Sequence, residues 1–266
     1  MINKAFVQKH FDRSVSQYDK GAGLHRFIAD KLLAMASLNG HKKNILEIGC
    51  GTGYLTSMIC SGWNPENLTA VDISNNMIES TKERCLFHDN IEFIRKDGER
   101  LSFEDGRKFD LVVSSSTFQW FNDIYSSFKH YHSMIEDGGE FLFSMFVEDT
   151  FCELFQAFEK ACVINKRPAM KPGQKLFGVG KVREFLRAAG FKEKDSFFEK
   201  HVVTFSSFDD LREKIKKMGF SNSNEDIGYI SKRVAFDLKK IYAAEFCNDK
   251  KEIQATYSVF YYIGKK

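Results

Sequence analysis

The chain has no apolar run long enough to cross a bilayer, no C-x-x-C pair among its six cysteines and no large excess of either charge. No window approaches the roughly 18 uninterrupted apolar residues of a membrane span, and the opening Met1-Ile-Asn-Lys-Ala-Phe6 lacks the apolar core of a signal peptide. Cys50, Cys60, Cys85, Cys152, Cys162 and Cys247 are scattered, which reads as free thiols of a reducing cytoplasm. A formal net charge of +3 does not demand nucleic acid as a partner and leaves open a modest preference for an acidic one. No metal-ligand spacing and no nucleophile with its attendant base stands out, so neither metal nor covalent catalysis is expected. Internal repeats and low-complexity linkers are absent too. A cytoplasmic chain without metal, membrane or nucleic-acid partner is the expectation.

What is present is concentrated in Asn44-Ile-Leu-Glu-Ile-Gly-Cys-Gly-Thr-Gly-Tyr54. Ile45, Leu46 and Ile48 make a short apolar strand, interrupted by Glu47, that runs into Gly49, Gly51 and Gly53. A strand meeting a glycine turn that opens a helix lets backbone approach a nucleotide closely, with helix N–H groups facing it. The spacing is G-x-G-x-G, and Tyr54 stands where the dinucleotide fingerprint places its last glycine, which argues against NAD or FAD. Leu68-Thr-Ala-Val-Asp72 is the next strand, and its terminal Asp72 is spaced to take ribose hydroxyls. Ser74 is a plausible N-cap for the helix that follows, which carries Met77.

Upstream, Phe6 to Met35 has helical periodicity broken at Gly21 and Gly23, and a helix bearing Tyr18 ahead of the glycine turn would lie over the nucleotide as a lid. Downstream, Met77 to Phe87 reads as helix and Ile91 to Arg95 as strand, delivering the polar turn Lys96-Asp97-Gly98-Glu99. Phe109 to Ser114 is the fourth strand, ending in Ser114-Ser-Ser-Thr-Phe-Gln-Trp-Phe121 at the sheet position where ligands bind. This loop has no Asn/Asp-Pro-Pro-Tyr box of the kind that holds a flipped base. Ile124 to Met134 reads as helix, Asp137-Gly-Gly139 as turn and Glu140 to Phe146 as the fifth strand. Helices are expected over 150–163, 180–189, 208–217 and 227–246, a loop over 166–173, and strands over 197–205 and 256–263. The late strand pair would form an antiparallel edge hairpin with a helical insert between its members. The 27 phenylalanines read chiefly as core packing.

Glu47, the glycine triplet and Asp72 resemble the cofactor motif of class I S-adenosylmethionine-dependent methyltransferases. Phe11-x-Arg13-Ser14-x-x-x-Tyr18-Asp19, Ala70-Val-Asp72-Ile73-Ser74, Phe118-Gln119-Trp120, Glu153-Leu-Phe-Gln156-Ala-Phe158, Leu211 to Gly219 and Thr256-Tyr257-x-x-Phe260 extend the likeness over nearly the whole chain. They resemble the biotin-pathway enzymes that methylate malonyl-acyl carrier protein on its free carboxyl; trans-aconitate methyltransferases share the Gln-Trp element. The fold so implied is α/β and Rossmann-like, a seven-stranded, mostly parallel sheet with helices on both faces. Its expected divisions are a helical lid over 1–40, a cofactor-binding core over 41–148, substrate-side helical insertions over 149–250 and a last strand over 251–266.

The resemblance implies S-adenosylmethionine as cofactor, S-adenosylhomocysteine as its product, and Glu47, Gly49, Gly51, Gly53, Asp72, Ile73, Met77, Asp97, Gly98 and Ser114 as its contacts. Asp97 would lie near the adenine amino group. The acceptor would be a malonyl thioester on acyl carrier protein or on CoA, with Tyr18, Ser115, Gln119 and Trp120 at the reacting groups. Tyr18, Phe118, Trp120 and Phe121 suit the exclusion of water. A carboxylate with an ordinary pKa near 4 needs no general base at neutral pH, so the work would be positional. An acidic carrier would dock on Arg183, Arg187, Lys192, Lys194, Lys214, Lys216 and Lys217, and the protein would act as a monomer. Other readings are a different small-molecule carboxyl methyltransferase, such as a trans-aconitate-type enzyme, or a cofactor-binding regulator without turnover.

Overall fold

A computed structural model describes residues 1–36, 43–168, 176–217 and 231–266. Helices α1 (Lys4–Gly21) and α2 (Gly23–Met35) precede β1 (Asn44–Ile48), α3 (Tyr54–Trp63), β2 (Asn67–Asp72), α4 (Asn75–Arg84) and β3 (Ile91–Arg95). Next come β4 (Phe109–Ser115), α5 (Ile124–Met134), β5 (Ile135–Phe146), α6 (Cys152–Ile164) and α7 (Val179–Ala189). The chain closes with β6 (Lys192–Phe205), α8 (Phe208–Lys217), α9 (Lys232–Glu245) and β7 (Ile253–Lys265).

The seven strands lie in the order β3-β2-β1-β4-β5-β7-β6. β1 pairs in parallel with both β2 and β4, so the direction of strand addition reverses beside it. That reversal opens a crevice at the carboxyl ends of β1 and β4, where loops can reach a ligand without breaking the sheet. Being covered on both faces, β1 reads as a nearly unbroken apolar run: Ile45, Leu46 and Ile48 are wholly buried.

The chain packs as two compact units, one of Met1–Val7, Phe146–Leu176 and Glu199–Val259, the other of Gln8–Met145, Phe177–Phe198 and Phe260–Lys266. Both are assembled from discontinuous stretches, whereas the sequence reading divides the chain into consecutive ones. In the second unit, Phe118, Phe128, Tyr131, Phe141 and Phe143 are fully buried with ring centroids 5.0–5.9 Å apart. Offset and edge-on rings at such spacings add attraction beyond their buried area. Phe118 therefore lies at the centre of a core.

Several boundaries differ from expectation for identifiable reasons. β5 begins at Ile135, and Asp137-Gly138-Gly139 is absorbed as an irregularity in its pairing with β4, because Gly138 takes a φ of +81°. α4 stops at Arg84, three residues before the expected Phe87, and leaves Phe87 almost fully exposed. β6 begins at Lys192, earlier than the expected 197. The first residues of the helix expected over 227–246, and most of the loop expected over 166–173, lie outside the described residues.

In the first unit two motifs far apart in sequence meet. Glu153 on α6 accepts a hydrogen bond from the Thr256 backbone N–H at 3.0 Å and another from the Thr256 hydroxyl. The neighbouring Tyr257 ring packs on Phe151 at 4.8 Å. Lys160 pairs with Glu245, and Asn165 bonds Asp237 at 2.7 Å, so α6 and α9 run antiparallel along each other. Truncating Glu153 leaves two donors of a buried strand residue without their acceptor. Glu153→Ala is expected to cost about 1–3 kcal/mol in urea unfolding, with Glu153→Gln losing less because its amide oxygen still accepts.

Candidate active site

The site is built where β1 ends. Gly49 and Cys50 both donate to the Val71 carbonyl, at 2.7 and 3.0 Å, which turns the chain sharply off the strand. Gly49 has a φ of +76°, and a Cβ there would collide with the Thr117 side chain. Gly51 also needs a positive φ, of +56°, but a Cβ there would meet nothing within 4 Å, so its backbone borders open space. α3 follows directly, its first turn pointing back toward that space.

Asp72, the last residue of β2, holds this turn in shape. One of its carboxylate oxygens accepts from the Gly51 N–H at 3.0 Å and the other from the Ser74 N–H at 2.8 Å. Burial pushes its pKa up to about 6, against the lowering by those two N–H groups, and the nearby Asp12 carboxylate adds to the rise. Ser74 caps α4 by accepting from the Met77 N–H at 3.1 Å and donates its own hydroxyl to Asp12 at 2.6 Å. Asn76 donates to the Asp12 carbonyl at 2.8 Å. Asp19 accepts from the Thr52 hydroxyl at 2.7 Å and pairs with Arg84 and, at 3.5 Å, with Arg26. α1 is thus fastened at Asp12 and Asp19 to both sides of the glycine turn, and between these anchors it presents Tyr18.

Tyr18 lies among the rings of Phe11 and His25, and burial together with Asp72 and Asp19 raises its pKa, so it is a neutral phenol. Beneath it is a cavity of about 60 Å³ bordered by His25, Arg26, Gly51, Ser115 and Ser116. Ligand pockets run to roughly 300–1,000 Å³, so the cavity as it stands is smaller than a nucleoside-sized molecule needs.

The remaining candidates divide. Asp97 and Gly98 follow β3, and a Cβ on Gly98 would press on Ile48 at the end of β1. Gly98 also accepts from the Tyr131 hydroxyl at 2.8 Å. Ile73 is half-buried behind Asp72, and Met77 is buried at the base of α4. Ser114 donates to the Ile48 carbonyl at 2.8 Å and has no exposed surface, so it ties β4 to β1 and does not face the cavity. Ser115 shares its hydroxyl with Ser144 at 3.2 Å. Gln119 is 3% exposed, its amide donating to the Ser116 carbonyl at 2.5 Å, and Trp120 packs edge-on against Phe11 at 5.7 Å.

Sequence reasoning passed over Ser116, His25, Arg26, Asp12 and Thr52. Ser116 carries the strongest signal: it holds a φ of +55°, rare for a residue with a side chain, and its buried hydroxyl has no hydrogen-bond partner. Of the lysines and arginines expected to dock a carrier, Arg183 bonds Ser196 at 2.6 Å and Lys194 pairs with Glu140 at 2.6 Å. Arg187, Lys192 and those two belong to one unit, and Lys214, Lys216 and Lys217 to the other.

Glu47 is the electrostatic outlier. It is 0% exposed, and among the described residues the Thr56 hydroxyl is the one group near enough to favour its charged form. Burial raises its pKa to about 8; Thr56 lowers it somewhat, and Asp72 raises it further. A buried acid beside a second carboxylate, an acid-anchored helix and a glycine turn open to the crevice fits a cationic nucleoside better than an anionic one. Among the described residues no group of three or more His, Cys, Asp or Glu is arranged to hold a metal, and no helix is long and apolar enough to cross a membrane.

A family profile described as a methyltransferase domain matches residues 45–139, from the start of β1 into β5. A malonyl-[acyl-carrier protein] O-methyltransferase of Priestia megaterium is 36% identical over 85% of this chain and 85% of its own. The chain belongs to that family. A second malonyl-[acyl-carrier protein] O-methyltransferase, from Acetivibrio thermocellus, is 31% identical over 100% of this chain and 95% of its own. Among solved structures, the N-methyltransferase NodS of Bradyrhizobium japonicum in complex with S-adenosyl-L-homocysteine superposes with a TM-score of 0.58 over 97% of both chains at 14% identity. The malonyl-[acyl-carrier protein] O-methyltransferase fold is thus the Rossmann-like one of class I methyltransferases.

The buried acids set a pH dependence. Glu47 keeps its proton in the folded chain up to about pH 8 but has lost it in the unfolded chain above 4.5, so its share of stability is full below 4.5 and is lost as pH rises through 8. Asp72 acts in the same direction between 3.8 and about 6. Unfolding free energy measured by urea titration is expected to fall between pH 6 and 8 by up to about 1.4 kcal/mol per pH unit. In Glu47→Gln that interval is expected to be flat while the fall below pH 6 persists.

Proposed function

We propose that this protein transfers the methyl group of S-adenosylmethionine to the free carboxylate of a malonyl thioester on acyl carrier protein, giving the methyl ester at an early step of biotin synthesis. The observation that carries this reading is the glycine turn clasped by Asp72 under Tyr18, in a chain belonging to the malonyl-[acyl-carrier protein] O-methyltransferase family. S-adenosylmethionine supplies an electrophilic methyl group on a sulfonium centre.

Asp72 would hold the ribose hydroxyls through lone pairs that its two backbone N–H groups leave available, with Ile73 and Met77 behind it. Asp97 and Gly98 would border the adenine. Gly49, Gly51 and Gly53 allow close backbone approach, and Glu47 below them would complement the cation's charge. On the acceptor side, the phenol of Tyr18 and the hydroxyls of Ser115 and Ser116 are neutral donors suited to orient a carboxylate. Neutral donors fix its direction without neutralising the nucleophile's charge, and the Arg26 guanidinium at the cavity edge is paired with Asp19 at 3.5 Å. Gln119 acts through Ser116, by clamping its carbonyl. Trp120 and Phe11 close the side of the crevice and keep it dry, which favours a step that joins an anion to a cation. Orientation of this kind can supply roughly 7–11 kcal/mol of a barrier. The six free thiols accord with action in the cytoplasm, and the protein works as a monomer in this reading.

The direct test is transfer of label from methyl-labelled cofactor to malonyl-carrier protein, malonyl-CoA and free malonate side by side. The thioesters are expected to be labelled and malonate is not; absence of label on both thioesters would sink the proposal. Because the acceptor is already ionised, kcat should be level from pH 6 to 9, whereas a general base would impose a rise. Asp72→Asn is expected to weaken cofactor binding by calorimetry about tenfold or more, as loss of charge-assisted hydrogen bonds does. Ser116→Ala should raise the KM for malonyl thioester while leaving the cofactor's Kd unchanged.

A further inference from the structure

Exposed apolar side chains are ordinary when scattered singly, and most here are. Leu86 and Phe87 are exposed together at the end of α4, but the bases near them are spoken for, Lys82 by Glu79 and Arg84 by Asp19. The junction of α6 and α9, within the first unit, is different. Val163, Ile164 and Phe236 are 68%, 63% and 67% exposed. The Asn165–Asp237 bond sets the end of α6 beside the first half of α9, bringing these residues into one stretch of surface. Arg233, Phe236 and Lys240 share an exposed face of α9 at helical spacing.

The exposed charge around this apolar surface is mainly positive among the described residues. Lys166 and Arg167 follow α6 and Arg233 and Lys240 project from α9; all four are exposed, and none makes an ion pair among the described residues. Of the acids on these helices and α8, Glu245 is paired with Lys160 and Asp209 with Lys239, while Asp237, held by the neutral Asn165 amide, and Glu159 keep their charge against the four bases. An apolar centre with a rim of unpaired bases is the arrangement by which charge steers a partner and desolvated side chains hold it.

We propose that the surface formed by Val163, Ile164, Phe236, Lys166, Arg167, Arg233 and Lys240 docks the acidic carrier protein that presents the malonyl thioester. This rests on the function proposed above and adds to it the part of the chain that recognises the carrier. A thioester delivered on a flexible arm does not require the docking surface to touch the reacting atoms, so recognition and chemistry can be carried by different elements. The surface also replaces the docking face expected from sequence, whose Arg183 and Lys194 are engaged within their own unit.

The test compares wild type with Phe236→Ala, Arg233→Glu, Lys240→Glu and their combination. Turnover is measured on malonyl-carrier protein and on malonyl-CoA, and carrier binding by surface plasmon resonance. In the combined variant the KM and Kd for the carrier are expected to rise about tenfold or more, as for loss of interface anchors. Kinetics with malonyl-CoA should stay at the wild-type level, and the wild-type KM for the carrier should rise with added salt. Should the variant lower malonyl-CoA turnover as well, Lys240→Glu alone, an exposed side chain without a partner, serves for the same comparison. Unchanged KM and Kd for the carrier would overturn the docking surface and leave the proposed reaction standing. Failure of wild type to methylate either thioester would instead overturn the reaction. Loss of binding to anionic phospholipid vesicles, with carrier kinetics unchanged, would assign the surface to a membrane and likewise overturn the proposal.

Discussion

Two backbone N–H groups, those of Gly51 and Ser74, converge on the single carboxylate of Asp72, and the architecture of the site follows from that meeting. It couples the end of β1 to the end of β2, so the glycine turn and the start of α4 cannot move independently. Through Ser74 the coupling extends to Asp12, and with Asp19 on Thr52 it recruits α1 as a cover. Strand ends alone would give a crevice. The carboxylate converts the crevice into a shaped site.

The same meeting has an electrostatic cost that defines what can bind. Asp72 and Glu47 lie in surroundings that disfavour their charges, and Asp12 crowds the first of them. Such acids remain partly protonated until a cation arrives to share the space. A sulfonium nucleoside would supply that positive charge, and on the proposed reading a carboxylate acceptor would meet the Tyr18 phenol and the Ser115 and Ser116 hydroxyls, with Arg26 at the cavity edge paired to Asp19. On the proposed reading the buried acids would face the cation and the hydroxyls the carboxylate acceptor.

In the other unit a second long-range bond sets the frame. Glu153 reaches across 103 residues to Thr256 and fixes the start of α6 against β7. Farther along, α6 and α9 meet tip to base through Asn165 and Asp237, and the exposed bases left at that junction make no ion pair among the described residues. Structure and recognition divide along these helices: their inner stripes, such as Phe158, Leu238 and Tyr242, build a core, and their outer stripes are available to a carrier.

Glu47, the three glycines and Asp72 were legible because each obeys a local rule: strand periodicity, positive φ, a carboxylate at a strand end. Helices α5 and α8 and strands β1 and β3 were legible for the same reason, and so was the helix that carries Tyr18 ahead of the glycine turn. What local pattern could not carry were partnerships between distant residues. The fold gives the Ser114 hydroxyl to the Ile48 carbonyl and makes Phe118 one of five buried rings that close around one another. Ser116 was hidden in a run of three serines, because only the closed turn puts its backbone in the left-handed region and strands its hydroxyl. By itself the amino-acid order determined the elements, the cofactor motif and the kind of chemistry, since these depend on neighbours in the chain. Tertiary structure alone decided which serine faces the cavity, which acids share their burial and which bases are left unpaired, because burial and pairing are properties of positions that meet only when the sheet has formed.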